Sequence, residues 1–252
     1  MEVHYLPPLQ RHSKPTKEYF IEFILIFLAV ILGFIANYDR ESFLEKEKGK
    51  EYALSLLNDL KVDTVVIKKT YNEKAWIEER FDSLEKILAT KDLDDHNEYI
   101  YYVERYLSNT NIFVSQDITF QQLTNAFNLK YVKDINLYKK IAYYYNLYYQ
   151  YKTIENSYSS TVKNDLIVIE SKLFNPHDLT SLDNDKANDF YSLALLSEKE
   201  LKPIKRDYDN LKLFYIMVDN AKKHANSTKV ILGKLKVCAT DIMRDLNNNN
   251  QL

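Results

Sequence analysis

Hydrophobic positions fall into two regimes along this chain. From Tyr19 to Ala36 they are continuous: YFIEFILIFLAVILGFIA carries one charged side chain, Glu22. Further on they recur in steps of three and four, at Leu57, Leu60, Ile67 and Tyr71, then Ile77, Phe81, Leu84 and Leu88. That second pattern is the stripe of a helix packed on one side. No proline interrupts Thr16 to Ala89, and Gly33 and Gly49 are its only glycines, so the spacing predicts one helix running from the apolar run into a stalk.

The apolar run is long enough to cross a bilayer. About 20 residues from Tyr19 to Tyr38, at ~1.5 Å each, cover ~30 Å, the thickness of a hydrocarbon core. The Ile, Leu, Phe and Val side chains each favour insertion by roughly 0.3–0.6 kcal/mol, which outweighs a cost of about 3 kcal/mol for Glu22 near one end. Tyr19 and Tyr38 sit where interfacial aromatics belong. Phe23, Ile26, Val30, Gly33 and Phe34 lie between them on the anchor. A cleavable signal peptide would need small residues in an Ala-x-Ala arrangement after the run. Ala36 is instead preceded by Phe34 two positions earlier, so the anchor is expected to be retained. Arg11, Lys14 and Lys17 before the run favour an N-terminus inside the cytoplasm, with the remainder exported. The segment after it is less decisive, because Arg40, Lys46, Lys48 and Lys50 are diluted by acidic neighbours.

Downstream, a polar break at Asp92–His96 precedes a short helix carrying Tyr99, Tyr102, Val103, Tyr106 and Leu107. Thr119 with Gln122 three residues later forms a capping-box pattern, which starts another short helix expected to end near Asn128. Asp134 is a fair N-cap for a much longer helix with apolar positions Leu137, Ile141, Tyr144, Tyr148, Tyr151, Tyr158, Val162, Leu166, Ile169 and Leu173, stopping at Asn175-Pro176. A helix is expected from Asp183 to Lys202. A last one places Ile204, Tyr208, Leu211, Tyr215 and Val218 on one face, then Ile231, Leu235, Cys238, Ile242 and Leu246. The organisation expected is a cytoplasmic tail (1–18), a span (19–38), a stalk (39–89), a helical bundle (90–246) and a frayed tail (247–252).

Composition agrees with that reading. Three Gly and five Pro in 252 residues are too few for the turns of a many-stranded sheet, so the fold class is all-α, one N-terminal transmembrane helix continuing into a bundle of long amphipathic helices. A net charge of -2 gives no basic surplus for nucleic acid. The single cysteine, Cys238, can form no intrachain disulfide, and no cysteine near the span is placed to carry a lipid.

Two blocks carry a resemblance. The anchor segment EYFIEFILIFLAVILGFIANYDRESFLEKEKGKEYALSLLNDLKVDT is similar to the N-terminus of an uncharacterised family of single-span bacterial membrane proteins of Bacteroidetes type. So is ITFQQLTNAFNLKYVKDINLYKKIAYYYN, through Thr119, Leu123, Asn128, Leu129, Val132, Leu137, Lys140, Tyr144 and Tyr145. Asn128 stands where that family commonly has Gly, and Lys140 where Arg is usual, so the chain reads as a divergent member. The resemblance implies an inner-membrane protein of a Gram-negative cell with no assigned activity.

Catalytic constellations are thin. His4, His12, His96, His177 and His224 show no zinc spacing, and Asp92, Asp94, Asp95 and His96 lack the glycine and terminal Glu of a calcium loop. Three glycines leave no room for a phosphate-binding loop. Cys238 reads as a small core residue, and Glu45–Glu51 as an exposed, charge-paired face of the stalk. No catalytic residue, cofactor or metal is expected. The tyrosines at 143, 144, 145, 148, 149 and 151 are denser than one core stripe needs, and consecutive ones point all around a helix. Tyr143, Tyr145, Tyr148 and Tyr149 are therefore candidates for a surface that meets a partner, an envelope protein or a second copy. The expected role is a membrane-anchored scaffold or docking module; the alternative is a periplasmic bundle that senses a ligand and signals through a partner.

Overall fold

The computed structural model of the chain describes residues 15–90, 93–107, 111–125, 131–132, 134–175, 178 and 204–248. Its regular elements are all helical among those residues: α1 (Thr16–Leu88), a 3-10 turn at Asp94–His96, α2 (Asn97–Glu104), α3 (Ile118–Thr124), α4 (Ile135–Leu173) and α5 (Tyr208–Asn248). The helix expected from Asp183 to Lys202 lies outside the described residues, as do Asn128, Pro176 and residues 1–14.

The 73 residues of α1 form one unbroken rod of about 110 Å, because no proline or stretch of glycines stops the ladder of backbone hydrogen bonds. Its first part is one apolar stretch long enough to cross a membrane, and none of that window is buried against the rest of the molecule. From Gly49 onward the helix joins the bundle. The buried positions on α1 then step by four and three without slip: Leu56, Leu60, Asp63, Ile67, Thr70, Lys74, Ile77, Phe81 and Leu84. On α5 the same alternation runs Phe214, Val218, Ala221, Ala225, Thr228, Leu232, Leu235, Ala239, Ile242 and Leu246. A seven-residue spacing of this kind keeps one seam facing the partner helix, and the alanines let the two backbones approach closely.

Two apolar clusters fill the bundle. One packs Leu56, Leu60 and Ile67 of α1 against Leu137–Tyr151 of α4 and Leu232–Leu246 of α5, at the end nearer the apolar stretch of α1. The other packs Ile77, Phe81 and Leu84 with α2, Leu166–Leu173 of α4 and Phe214–Ala225 of α5. As α1 advances, its α4 neighbours rise in number and its α5 neighbours fall. So α4 runs parallel to α1, and α5 returns antiparallel towards the apolar end of α1.

A side-chain cap starts α4, whereas α1, α2 and α3 begin without one. Asp134 caps α4 as expected, its Oδ1 accepting from the backbone N–H of Asn136 (2.8 Å) and Leu137 (3.2 Å). Replacing it by alanine is expected to lower stability by about 1 kcal/mol, read as a drop in the unfolding midpoint of the full-length protein in detergent. The capping box at Thr119 does not form: Thr119 is buried inside α3, and Asp117 holds the N-cap position. The Asp117 carboxylate makes no cap, since it accepts the Tyr149 hydroxyl at 3.1 Å. In the last helix, Ile204 is buried but precedes the helix, its N–H donating to Asn97 Oδ1. Tyr208 and Tyr215 are exposed rather than on the packed face, which passes through Phe214, Ala221 and Ala225 instead. Cys238 flanks the seam half-buried, and α5 stays helical through Asn248, two residues into the expected frayed tail.

Candidate functional site

The residues of the apolar stretch expected to anchor the chain stand clear of the bundle. Tyr19, Phe23, Ile26, Val30, Phe34 and Tyr38 are all exposed large hydrophobics, and Glu22 and Gly33 share that unburied stretch. Side chains this apolar, presented on every side of a lone helix, need an apolar surrounding.

The tyrosine cluster divides. Tyr143 and Tyr149 remain 55% and 40% exposed, whereas Tyr145 and Tyr148 are buried and belong to no surface. The reason is the phase of α4: positions 144, 148 and 151 follow the seam, and Tyr145 turns towards α3, stacking on Phe120 at 4.2 Å. Its hydroxyl donates to the Gln116 carbonyl at 3.1 Å. Tyr143 instead lines an open groove between α4 and α5, 710 Å³ in volume, with Lys140, Val230, Gly233, Val237 and Cys238. Lys140 at its rim is paired with Asp245 at 2.5 Å. Burial, with Asp241 nearby, pushes the Cys238 thiol up to about 11, which makes it a poor nucleophile near neutrality.

Beneath these surfaces the bundle holds two polar constellations that periodicity in hydrophobic residues alone did not reveal. In the first, Asp63 on the α1 seam receives three donors: Ser115 Oγ at 2.5 Å and Tyr144 Oη at 2.7 Å on Oδ2, and the Gln116 N–H at 2.9 Å on Oδ1. Burial raises the Asp63 carboxyl above its ordinary value, although all three hydrogen bonds pull it down. Burial and the Asp63 charge likewise drive the Tyr144 hydroxyl far up, so it remains a donor. Chemically this is a clamp that ties residues 115–116 to α1 and α4. Tyr144→Phe removes one of the three bonds, and a loss of about 1 kcal/mol is expected.

The second constellation lies between the two apolar clusters. Lys74 Nζ sits 2.7 Å from Glu155 Oε1, both side chains 1% exposed, and His224 Nε2 is 3.1 Å from Glu155 Oε2. The His224 ring stacks on Tyr158 at 3.9 Å. Glu73, beside Lys74 and also buried, accepts Asn111 Nδ2 at 3.0 Å. Burial raises the Glu155 carboxyl, but the His224 contact and Lys74 outweigh it, and the net direction is down from 4.5. A lowered carboxyl stabilises the fold above its unfolded pKa, and that contribution is lost as pH falls through the folded value. The difference in thermal midpoint between the native chain and Glu155→Gln is therefore expected to be largest near neutrality and to shrink below about pH 4.

Peripheral ion pairs add little by comparison. Lys222 bridges Glu85 and lies 3.5 Å from Asp82, Lys229 pairs with Glu78, and Arg206 meets Asp94 at 2.7 Å. Asp94 thus serves the interhelix loop, and Asp92 lies outside the described residues. Among the described residues no group of three or more His, Cys, Asp or Glu side chains is arranged to hold a metal ion. No protein-family model, no curated protein and no solved structure matches this chain.

Proposed function

We propose that this chain is a membrane-anchored docking module of the cell envelope. The observation that carries the reading is the unbroken α1: an apolar stretch with no internal packing partner passes without a joint into the seam of a helical bundle. A rigid connection of this kind holds a folded body at a fixed distance from a bilayer. The basic residues Arg11, Lys14 and Lys17 support an N-terminus on the cytoplasmic side and the bundle on the other. The resemblance of the anchor and of the Thr119–Tyr145 block to Bacteroidetes single-span proteins supports the inner membrane of a Gram-negative cell.

Docking suits the surfaces better than ligand sensing does. The groove beside Tyr143 is open to solvent and sets the apolar Tyr143, Val230 and Val237 among the charged Lys140, Lys234 and Asp241, an apolar floor with a polar rim that fits a partner side chain or helix. A sensing pocket wants polar groups converging on an enclosed ligand, whereas the buried polar groups here are held by their own neighbours, Asp63 by Ser115 and Tyr144 and Lys74 by Glu155. Affinity purification of the full-length chain from detergent-solubilised native membranes is the test. A partner recovered in stoichiometric amount, and reduced by Tyr143→Glu with Val237→Glu, supports docking. Purification of the chain alone, or a partner indifferent to both changes, contradicts it.

A further inference from the structure

We propose that the outward face of α1 is the seat for one helix of a different protein, a helix that leaves the same membrane in the same direction. This seat presupposes the anchor proposed above and is separate from the groove, which lies on α4 and α5. Between Tyr38 and Tyr71 the exposed large hydrophobics of α1 are Phe43, Leu44, Leu54, Val62 and Val65, each 50–70% exposed. With about 3.6 residues per turn they fall within about 100° of one another around the helix. Gly49, Leu56, Leu60, Asp63 and Ile67, which face the bundle, point the opposite way. Single apolar residues on a surface need no explanation. Five in one line over ~33 Å of helix form a second stripe, and among the described residues only the first is covered.

Continuity sets the direction of the partner. The stripe begins at Phe43, just past Tyr38, on a helix without a joint, so a helix lying along it is aimed at the bilayer. The same line continues downward through Ala29, Gly33 and Ala36, where a Cβ added at Gly33 would meet nothing within 4 Å, so the two helices can stay side by side in lipid. Charge decides against a second copy. Arg40, Glu47 and Glu51 lie exposed on the stripe, and two copies in one bilayer stand at equal height. A parallel pair would therefore set each of these side chains against its own counterpart. Glu47 has Lys50 at 3.0 Å, an exposed pair of the kind that contributes little. A helix with an acidic side chain opposite Arg40 and basic ones opposite Glu47 and Glu51 turns the same three charges into attraction.

The experiment puts a photo-crosslinking benzophenone amino acid into the full-length chain in native membranes, at Leu54 or Val65 on the stripe and at Lys46 or Tyr71 off it. Light is expected to give, from the two stripe positions alone, an adduct with a protein that carries one apolar span followed by basic residues. Glu47→Lys with Glu51→Lys is expected to cut that adduct about tenfold, while membrane retention and circular dichroism stay unchanged. An adduct with a second copy, equal yields at all four positions, no adduct, or a yield unmoved by the lysines would overturn the seat on α1. A chain that stays in the membrane without the adduct refutes this inference alone; a chain recovered without membranes refutes the anchor beneath it.

Discussion

Asp63→Ala is expected to destabilise the bundle by about 3–5 kcal/mol, more than truncating an ordinary surface carboxylate by an order of magnitude. The change removes one acceptor group and strands three donors: the Ser115 and Tyr144 hydroxyls and the Gln116 N–H. Both hydroxyl-bearing side chains are buried, so water replaces the lost partner poorly. For a chain of this size the loss corresponds to a fall of roughly 6–20 °C in melting temperature, measurable by circular dichroism of the full-length protein in detergent. Release of the 115–116 segment should accompany it, visible as faster amide exchange across Phe113–Asp117. If Asp63→Ala melts within 2 °C of the native chain, roughly the shift of ~1 kcal/mol or less, the clamp has no energetic role.

Lys74→Met is expected to cost a similar amount, about 3–5 kcal/mol, because it leaves the Glu155 carboxylate buried without its cation. The informative comparison is the double change. Lys74→Met with Glu155→Leu removes both charges and substitutes apolar volume, so it is expected to recover most of what the single change loses. The double change also removes the Glu155 partner of His224 Nε2, so recovery is expected to stop short of the native value. Equal destabilisation by the single and double variants would mean that the side-chain volumes, not the ion pair, matter at this level.

Why these two positions carry the largest effects also explains what the sequence concealed. The apolar members of the α1 stripe, Leu60, Ile67, Ile77, Phe81 and Leu84, were legible from their spacing and are buried. Asp63, Thr70 and Lys74 occupy the same register, yet a search for hydrophobic residues passes over them because polar side chains ordinarily mark the solvent face. Extending the alternation of four and three through the gaps places all three in the seam, and on α4 it places Glu155 there as well. The same extension corrects α5. Tyr208 and Tyr215 attract attention as large aromatics, but the steps from Val218 through Ala221, Ala225 and Thr228 to Leu232 identify the face that packs. Small residues such as Ala221, Ala225 and Ala239 carry little hydrophobic weight in such a pattern, although they set how close the helices come.

The candidate surface was half legible. Density of tyrosine correctly implied that the ring of α4 residues could not all face one core, and Tyr143 and Tyr149 are indeed exposed. Tyr144, Tyr148 and Tyr151 follow the helical stripe and were legible as inward, whereas Tyr145 is buried by α3, distant in sequence, which no local pattern encodes. Phe120 stacks on Tyr145, and Phe113 covers Tyr148. The Thr119 capping signal failed because the helix begins one residue before the threonine, which leaves Thr119 buried inside it.

Fractionation of cells expressing the full-length chain tests the central claim most directly. On the proposed reading the apolar stretch of α1 lies in lipid, so the protein should sediment with membranes, stay there through alkaline carbonate washing, and enter solution only with detergent. Quantitative recovery in the soluble fraction after lysis without detergent would contradict the anchor, and with it the fixed standoff of the bundle.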